Sequence, residues 1–196
     1  TRAGTERVVR FAFELAKKRS GAPADGVQRV TCAEKSNVLR SFVLFKEVFL
    51  EVAAEYPGIE AETIYPDAAA QALIMNPAHY DVLVMENFIG DILSDLGGGT
   101  IGGLGMCPGG NIGDRYSYFE PVHGSAPDIA GQGIANPVSQ ILAGAMLLDH
   151  IGEAAAARLL ERAVWKALET GAIPIDGRGR LEKGTMAAAG AIIAQL

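Results

Sequence analysis

The sequence predicts an α/β fold, an open sheet with helices on both faces and two lobes, and three observations carry that prediction. Short apolar runs alternate with longer helical patterns from residue 6 to residue 95, the signature of strand–helix–strand units. Two acidic positions, Asp67 and Asp91, follow directly on predicted strand ends. Nine glycines between Leu96 and Gly113 then separate this part from a remainder dominated by helical patterns.

The elements follow in order. Val8, Phe11, Ala12, Leu15 and Ala16 recur at helical spacing, and Lys17, Lys18 and Arg19 end that helix over 6–19, where the dipole favours cations. After the turn-rich SGAPADG, the run VQRVTCA predicts a strand. Ser36 or Asn37 is then expected to cap a long helix bearing Val38, Leu39, Phe42, Val43, Val48, Phe49 and Val52, which YPG stops. GIEAETIYP predicts a second strand, and Asp67 follows Pro66 into the helix DAAAQALIM. DVLVM has the continuous apolar character of a buried parallel strand and leads through ENFIG into the helix GDILSDL. Downstream, Asn136 caps and Pro137 opens a helix that runs to His150 and stops at Gly152; EAAAARLLERAVWKALET forms another that ends at Gly171. IPIDGRGRLEKG is expected as a loop and Thr185 as the cap of a closing helix.

Composition narrows the function classes. At 196 residues, 49% hydrophobic and 20% charged, the chain can bury one good core or two small ones, and disorder is not expected. A net charge of -6 without any basic block argues against nucleic acid and anionic membrane as partners. An anionic small molecule stays open as a ligand, because a bound divalent ion inverts the local field. Cys32 and Cys107 lack CxxC spacing, which suits a reducing, cytoplasmic setting. The apolar stretch at ILAGAMLL falls short of a membrane span.

Asp91 and Asp95 stand four apart in a helical pattern, so their carboxylates leave one face about 6 Å apart. Such a pair, with Asp67 as a third oxygen donor, suits a hard cation such as Mg²⁺ or Mn²⁺, although two carboxylates at this spacing are commonly a solvated face. Glu47 and Glu51 share the spacing and are expected only to be solvated. Gly97, Gly99 and Gly102 form a literal GxGxxG, but it follows a helix instead of ending a strand, so close packing or a hinge explains it better than a phosphate loop.

Residues 120–137 read EPVHGSAPDIAGQGIANP. Together with Lys35 in TCAEKSNVL, Asp67 in TIYPDAAAQ and GDILSD, in that order, this run resembles the isocitrate and isopropylmalate dehydrogenase family of metal-requiring, NAD(P)-dependent decarboxylating dehydrogenases. The resemblance covers nearly the whole chain. It implies the family's fold with its N-terminal part missing, residues 1–101 forming the substrate, metal and dimerisation lobe and 102–196 the C-terminal part of the NAD-binding lobe. A catalytic tyrosine and a substrate-gripping arginine cluster are then expected upstream of Thr1.

The resemblance also implies roles. Lys35 matches the catalytic lysine that handles the substrate hydroxyl proton, and Asn37 a position near substrate and nicotinamide, its other reading being a helix cap. Asp67, Asp91 and Asp95 match the ligands of Mg²⁺ or Mn²⁺, with Asp67 also near substrate. His123, Gly124, Ser125 and Ala126 match the loop on the cofactor's adenosine, and Asn136 a further contact on the adenine side. Asp128 matches the position facing the ribose, where a carboxylate accepts both ribose hydroxyls and repels a 2′-phosphate, so NAD is expected over NADP. A homodimer is implied, with Lys35 and Asp67 from one subunit and Asp91 and Asp95 from the other. The expected reaction is oxidative decarboxylation of a 2-hydroxy acid, a 3-substituted malate. 3-Isopropylmalate, in leucine biosynthesis, ranks first, ahead of homoisocitrate, isocitrate, and tartrate or D-malate. A noncatalytic regulatory subunit is the alternative from another class, and the retention of Lys35 and all three aspartates speaks against it.

Overall fold

A computed structural model of the chain describes residues 1–176 and 180–196. They form two compact units, Thr1–Gly97 and Gly98–Leu196.

The first unit is built on three parallel strands, β1 (Arg29–Ala33), β2 (Glu60–Ile64) and β3 (Val82–Met85), in the order β2-β1-β3. Four helices cover them: α1 (Arg2–Lys18), α2 (Arg40–Ala53), α3 (Pro66–Met75) and α4 (Asn87–Thr100). Strand alternation sorts the side chains between faces. Val30, Cys32, Val82 and Val84 pack with Val9 and Phe13 of α1 and Phe45, Val48 and Phe49 of α2. Ala33 and Met85 point the other way, against Ala69 and Leu73 of α3 and Ile89 and Leu93 of α4. The open sheet with helices on both faces is therefore present, and β1 in its middle is buried along its whole length.

The edges differ. β2 carries cross-strand polar pairs: its register sets Glu60 opposite Arg29 and Glu62 opposite Thr31, and the side chains bond at 2.9 and 2.6 Å. Charge on an edge strand discourages pairing with foreign strands. β3 has no strand on its outer side among the described residues. Beside it runs an apolar trough of 520 Å³ lined by Val8, Phe11, Leu15, Leu83, Leu93 and others.

Four expectations need correction here. Helix α1 starts at Arg2, not Glu6, because the Thr1 hydroxyl accepts from the Gly4 N–H and caps it. Helix α2 begins at Arg40 after an extended Leu39, so neither Ser36 nor Asn37 caps it and Val38 and Leu39 lie outside. Residues 36–38 instead form a turn whose Val38 and Leu39 N–H groups both donate to the Lys35 carbonyl. Helix α4 continues through Gly97, Gly98 and Gly99 to Thr100, where a hinge or close packing was expected. Close packing is what Gly98 serves, since a Cβ there would sit 3.0 Å from Cys107 Sγ and from Leu104. Glu51 is more than solvated, because Arg2 pairs with it and ties α1 to α2.

The second unit contains an antiparallel hairpin, β4 (Pro108–Ile112) with β5 (Ser117–Pro121), and helices α5 (Val138–His150), α6 (Ala154–Glu169) and α7 (Thr185–Ile193). Its core joins Met106, Val138, Leu142, Val164, Ala167, Ile173, Ala188 and Ile192. Nothing in PGGNI favours a strand by propensity. Packing supplies the reason: a Cβ at Gly110 would lie 3.1 Å from the Phe119 ring and from Met146 of α5, so the glycine lets the hairpin close onto that helix. Asn136 was expected to cap α5, but Pro137 is its N-cap; Asn136 stands one residue before it and braces the helix start, its Oδ1 accepting from Val138 N–H at 3.1 Å. Thr185 does not cap α7; Gly184, at a φ of 83°, holds that place. The expected loop 173–184 contains one antiparallel bridge, Ile175 to Leu181, and its Gly177–Gly179 part lies outside the described residues. No described helix is long and apolar enough to cross a membrane.

Candidate active site and nucleotide cavity

The three strands of the first unit end flush. Ala33 pairs with both Ile64 and Met85. Whatever follows those residues therefore emerges at one sheet edge, the carboxyl edge at which open α/β sheets present ligand groups. Lys35 comes two residues after β1, Asp67 three after β2, and α4 two after β3.

Lys35 and Asp67 meet there. Lys35 Nζ donates to Asp67 Oδ1 at 2.5 Å and lies 5.1 Å from the centroid of the Tyr65 ring. The two residues are 32 positions apart in sequence, and the parallel register alone brings them together. Asp67 stands in the first turn of α3, just after Pro66. The Lys35 ammonium chiefly, then the backbone N–H groups of Asp67 and Ala68, hold its carboxyl below the ordinary Asp value. Its side chain is 74% exposed and that of Lys35 26%, so the pair is worth little to stability and acts mainly to position both groups.

The turn that carries Lys35 is anchored by the residue before it. Glu34 is buried at 1% exposure, accepts from the Ser36 N–H, and pairs with Lys46 of α2 at 3.2 Å. Burial works to raise the Glu34 carboxyl, and the Ser36 and Lys46 contacts together outweigh it, so the group stays below the usual Glu range. Asn37 is exposed in the same turn. Asp91 and Asp95 are both exposed on α4. Among the described residues no three His, Cys, Asp or Glu side chains gather closely enough to hold a metal, so Asp67 is not clustered with the α4 pair. The donors are nevertheless all carboxylate oxygens, the chemistry that suits a hard divalent cation.

The second unit holds a cavity of 440 Å³. His123, Gly124, Ser125, Ala126 and Asn136 line it, together with glycines at 102, 103, 105, 131 and 133 and with Arg180. His123 Nδ1 is 2.8 Å from the Gly124 carbonyl, which can only accept, so Nδ1 carries the proton. Ala126 adopts φ 44° and ψ 59°, the one described non-glycine residue at positive φ. Such strain concentrates where a loop is shaped for a ligand. Asn136 lines the wall with its side chain already engaged by Val138 N–H and by Met106 Sδ. Thr185 pins the opposite wall, its N–H donating to the Gly133 carbonyl and its hydroxyl to that of Ala135. Asp128 is exposed in the turn Pro127–Ile129 and is not part of the cavity wall. Glu34, Arg180 and Thr185 were not singled out in the sequence for these roles: nothing local separates a buried glutamate from a solvated one, and IDGRGRL reads as plain loop.

A family model described as isocitrate/isopropylmalate dehydrogenase matches residues 1–190. The chain is 47% identical over 188 residues to the 3-isopropylmalate/3-methylmalate dehydrogenase of Methanocaldococcus jannaschii, covering 95% of this chain and 56% of that protein. It is 51% identical over 165 residues to the homoisocitrate dehydrogenase of the same organism, covering 84% of this chain and 46% of that protein. The crystal structure of isocitrate dehydrogenase from Methylococcus capsulatus superposes with a TM-score of 0.88 at 46% identity, over all of this chain and 56% of that one. The chain thus spans about half the length of the relatives it matches. With its flush strand ends, its Lys35–Asp67 contact and its match over residues 1–190, the chain belongs to the isocitrate/isopropylmalate dehydrogenase family.

Proposed function

We propose that the whole protein catalyses NAD-dependent, divalent-metal-dependent oxidative decarboxylation of a 3-substituted malate, with 3-isopropylmalate as substrate. The observation that carries this reading is the contact of Lys35 with Asp67 at the carboxyl edge of the sheet. It sets a proton-transfer group against a carboxylate that can face a cation.

The reaction removes hydride from the hydroxyl-bearing carbon, then breaks the bond to a neighbouring carboxylate to release CO₂ and leave an enolate. NAD supplies the hydride acceptor, and Mg²⁺ or Mn²⁺, held by Asp67, Asp91 and Asp95, supplies Lewis acidity for the oxygens on which negative charge builds. Lys35 in its amine form takes the hydroxyl proton, and the ammonium so formed returns it to the enolate. Asp67 orients its ammonium, and the Glu34-anchored turn fixes the point from which it reaches. Asn37, beside Lys35 in that turn, faces substrate and nicotinamide. In the second unit, His123, Gly124, Ser125 and Ala126 hold the adenosine, Asn136 borders it, and Asp128 takes the ribose hydroxyls. Residues 1–101 serve as the substrate, metal and dimerisation lobe and 102–196 as part of the NAD lobe, in a cytoplasmic enzyme.

A homodimer completes the site in this reading. Asp67 does not cluster with Asp91 and Asp95 within the chain, and α3 and α4 expose Ile74, Met75, Phe88 and Ile92, each more than half accessible. An apolar face of this kind on adjacent helices is what a second copy would cover. Lys35 and Asp67 of one subunit would then work with Asp91 and Asp95 of the other.

Incubating the whole protein with NAD, Mn²⁺ and a panel of 3-substituted malates tests the reading by NADH absorbance. Turnover of 3-isopropylmalate, abolished by EDTA and by Lys35→Met, is expected. No NADH from any malate overturns the catalytic reading, and turnover of homoisocitrate or tartrate alone overturns the substrate.

A further inference from the structure

We propose that Tyr65 is a positioning residue for Lys35, its ring the seat on which the lysine head is held for proton transfer; the inference rests on the reading of Lys35 as the proton-transfer group. Lys35 Nζ lies 5.1 Å from the centroid of the Tyr65 ring while it donates to Asp67 Oδ1 at 2.5 Å, so the head is held from two sides. Neither helix capping nor burial accounts for a tyrosine at this place. Position 65 is the N-cap of α3, where Ser, Thr, Asp or Asn would bond the first turn, and the Tyr65 side chain makes no such bond. The residue is also 40% exposed, so its ring is not a core side chain.

The ring is carried on a fixed root. Glu34 N–H donates to the Ile64 carbonyl at 3.0 Å, one ladder bond beyond the Ala33–Ile64 pair, and Ala69 N–H donates to the Tyr65 carbonyl at 2.8 Å. The backbone at Tyr65 is thus tied to the Lys35 turn on one side and to α3 on the other. Tyr65 borders, with Glu34, Lys46, Thr63 and Ile64, a cavity of 240 Å³, which sets it beside the buried carboxylate that anchors that turn. An aromatic face suits the task. Lysine has a long side chain with many rotamers, and its head must be held in both protonation states. Asp67 holds the ammonium, but its oxygens are also the donors that a divalent cation would need. A π face attracts the ammonium, packs against the neutral amine, accepts no proton and offers no oxygen to a hard cation. Tyr65 therefore holds Lys35 without drawing on the Asp67 oxygens.

Steady-state kinetics of the whole protein, wild type against Tyr65→Phe and Tyr65→Leu, read the effect with NAD, Mn²⁺ and 3-isopropylmalate, or whichever 3-substituted malate of the panel turns over. Tyr65→Phe keeps the ring and should leave kcat within about twofold of wild type. Tyr65→Leu keeps only the bulk and should lower kcat roughly five- to tenfold, as expected for one cation–π contact, with KM for the malate, Mn²⁺ affinity and melting temperature unchanged. The contact is also read without turnover. In ¹³C-lysine-labelled protein the Lys35 ε-CH₂ protons, assigned through Lys35→Met, should be moved upfield by the ring current in wild type and Tyr65→Phe, and not in Tyr65→Leu. Equal kcat in all three proteins, an equal loss in both variants, a loss in Tyr65→Leu matched by weaker Mn²⁺ binding, or a Lys35 signal that Tyr65→Leu leaves unmoved overturns the role of Tyr65 while the dehydrogenase stands. Absence of wild-type turnover on every malate overturns the proton-transfer reading of Lys35, and the positioning role with it.

Discussion

Lys35 Nζ and Asp67 Oδ1 lie 2.5 Å apart at the flush carboxyl edge of two parallel strands. Neither residue is remarkable within its own segment. The contact comes from register: Ala33 opposite Ile64 sets both following turns at one height.

The pair has a pH signature. Because the Lys35 ammonium lowers the Asp67 carboxyl below its ordinary 3.8, this carboxylate favours the folded state fully above that value, and the contribution fades as pH falls through the lower folded value. ¹³C NMR should show Asp67 titrating below the ordinary Asp value, and Lys35→Ala should move it back up. An Asp67 that titrates identically in both proteins would dissolve the pair in solution.

Removing the partner of Glu34 should be costly. Lys46→Met leaves a buried carboxylate held only by Ser36 and is expected to destabilise the first unit by about 3 kcal/mol, read from urea unfolding. Adding Glu34→Gln to Lys46→Met should restore much of the loss, since the remaining group is neutral and still accepts from Ser36.

Divalent binding probes α4. Asp91→Asn and Asp95→Asn in the whole protein should each weaken Mn²⁺ affinity, followed by electron paramagnetic resonance, by on the order of a hundredfold, and turnover should fall with it. Unchanged affinity in both variants would remove the metal assignment.

The cavity of the second unit depends on close approach at Gly105. A Cβ there would lie 2.9 Å from Asn136 Cβ, so Gly105→Ala must displace Asn136 and with it the bond to Val138 N–H. A loss of about 1–3 kcal/mol in stability is expected, together with weaker binding of ADP. Equal melting temperatures for the two proteins would show that the wall yields freely.

The sequence carried the elements of the first unit because its signals there are periodic, as Val82 and Val84 are at strand spacing, but of the α1 repeat Val8, Phe11, Ala12, Leu15 and Ala16 only the two alanines are buried, the core face being completed by Val9 and Phe13. Thr1 was passed over as a cap because the apolar repeat begins only near Val8. The start of α2 was placed too early because Ser36 and Asn37 look like caps, whereas Glu34 claims the Ser36 N–H for a turn. The hairpin at Pro108–Pro121 was illegible, because the glycines of β4 find their place only against Phe119 of β5 and Met146 of α5. For the candidate site, Lys35, Asp67 and the His123–Ala126 loop were legible as motifs. Arg180 as a cavity-wall residue was not, since distant segments enclose that cavity.

The bare outer margin of β3 has a practical side. Backbone donors and acceptors on a strand margin, flanked by the oily trough of Val8, Phe11 and Leu15, offer any extended peptide both a ladder and a greasy seat. Produced by itself, residues 1–196 should be sticky and hard to concentrate, and lysine placed at Phe11, half exposed on the trough wall, is the gentlest remedy for handling it.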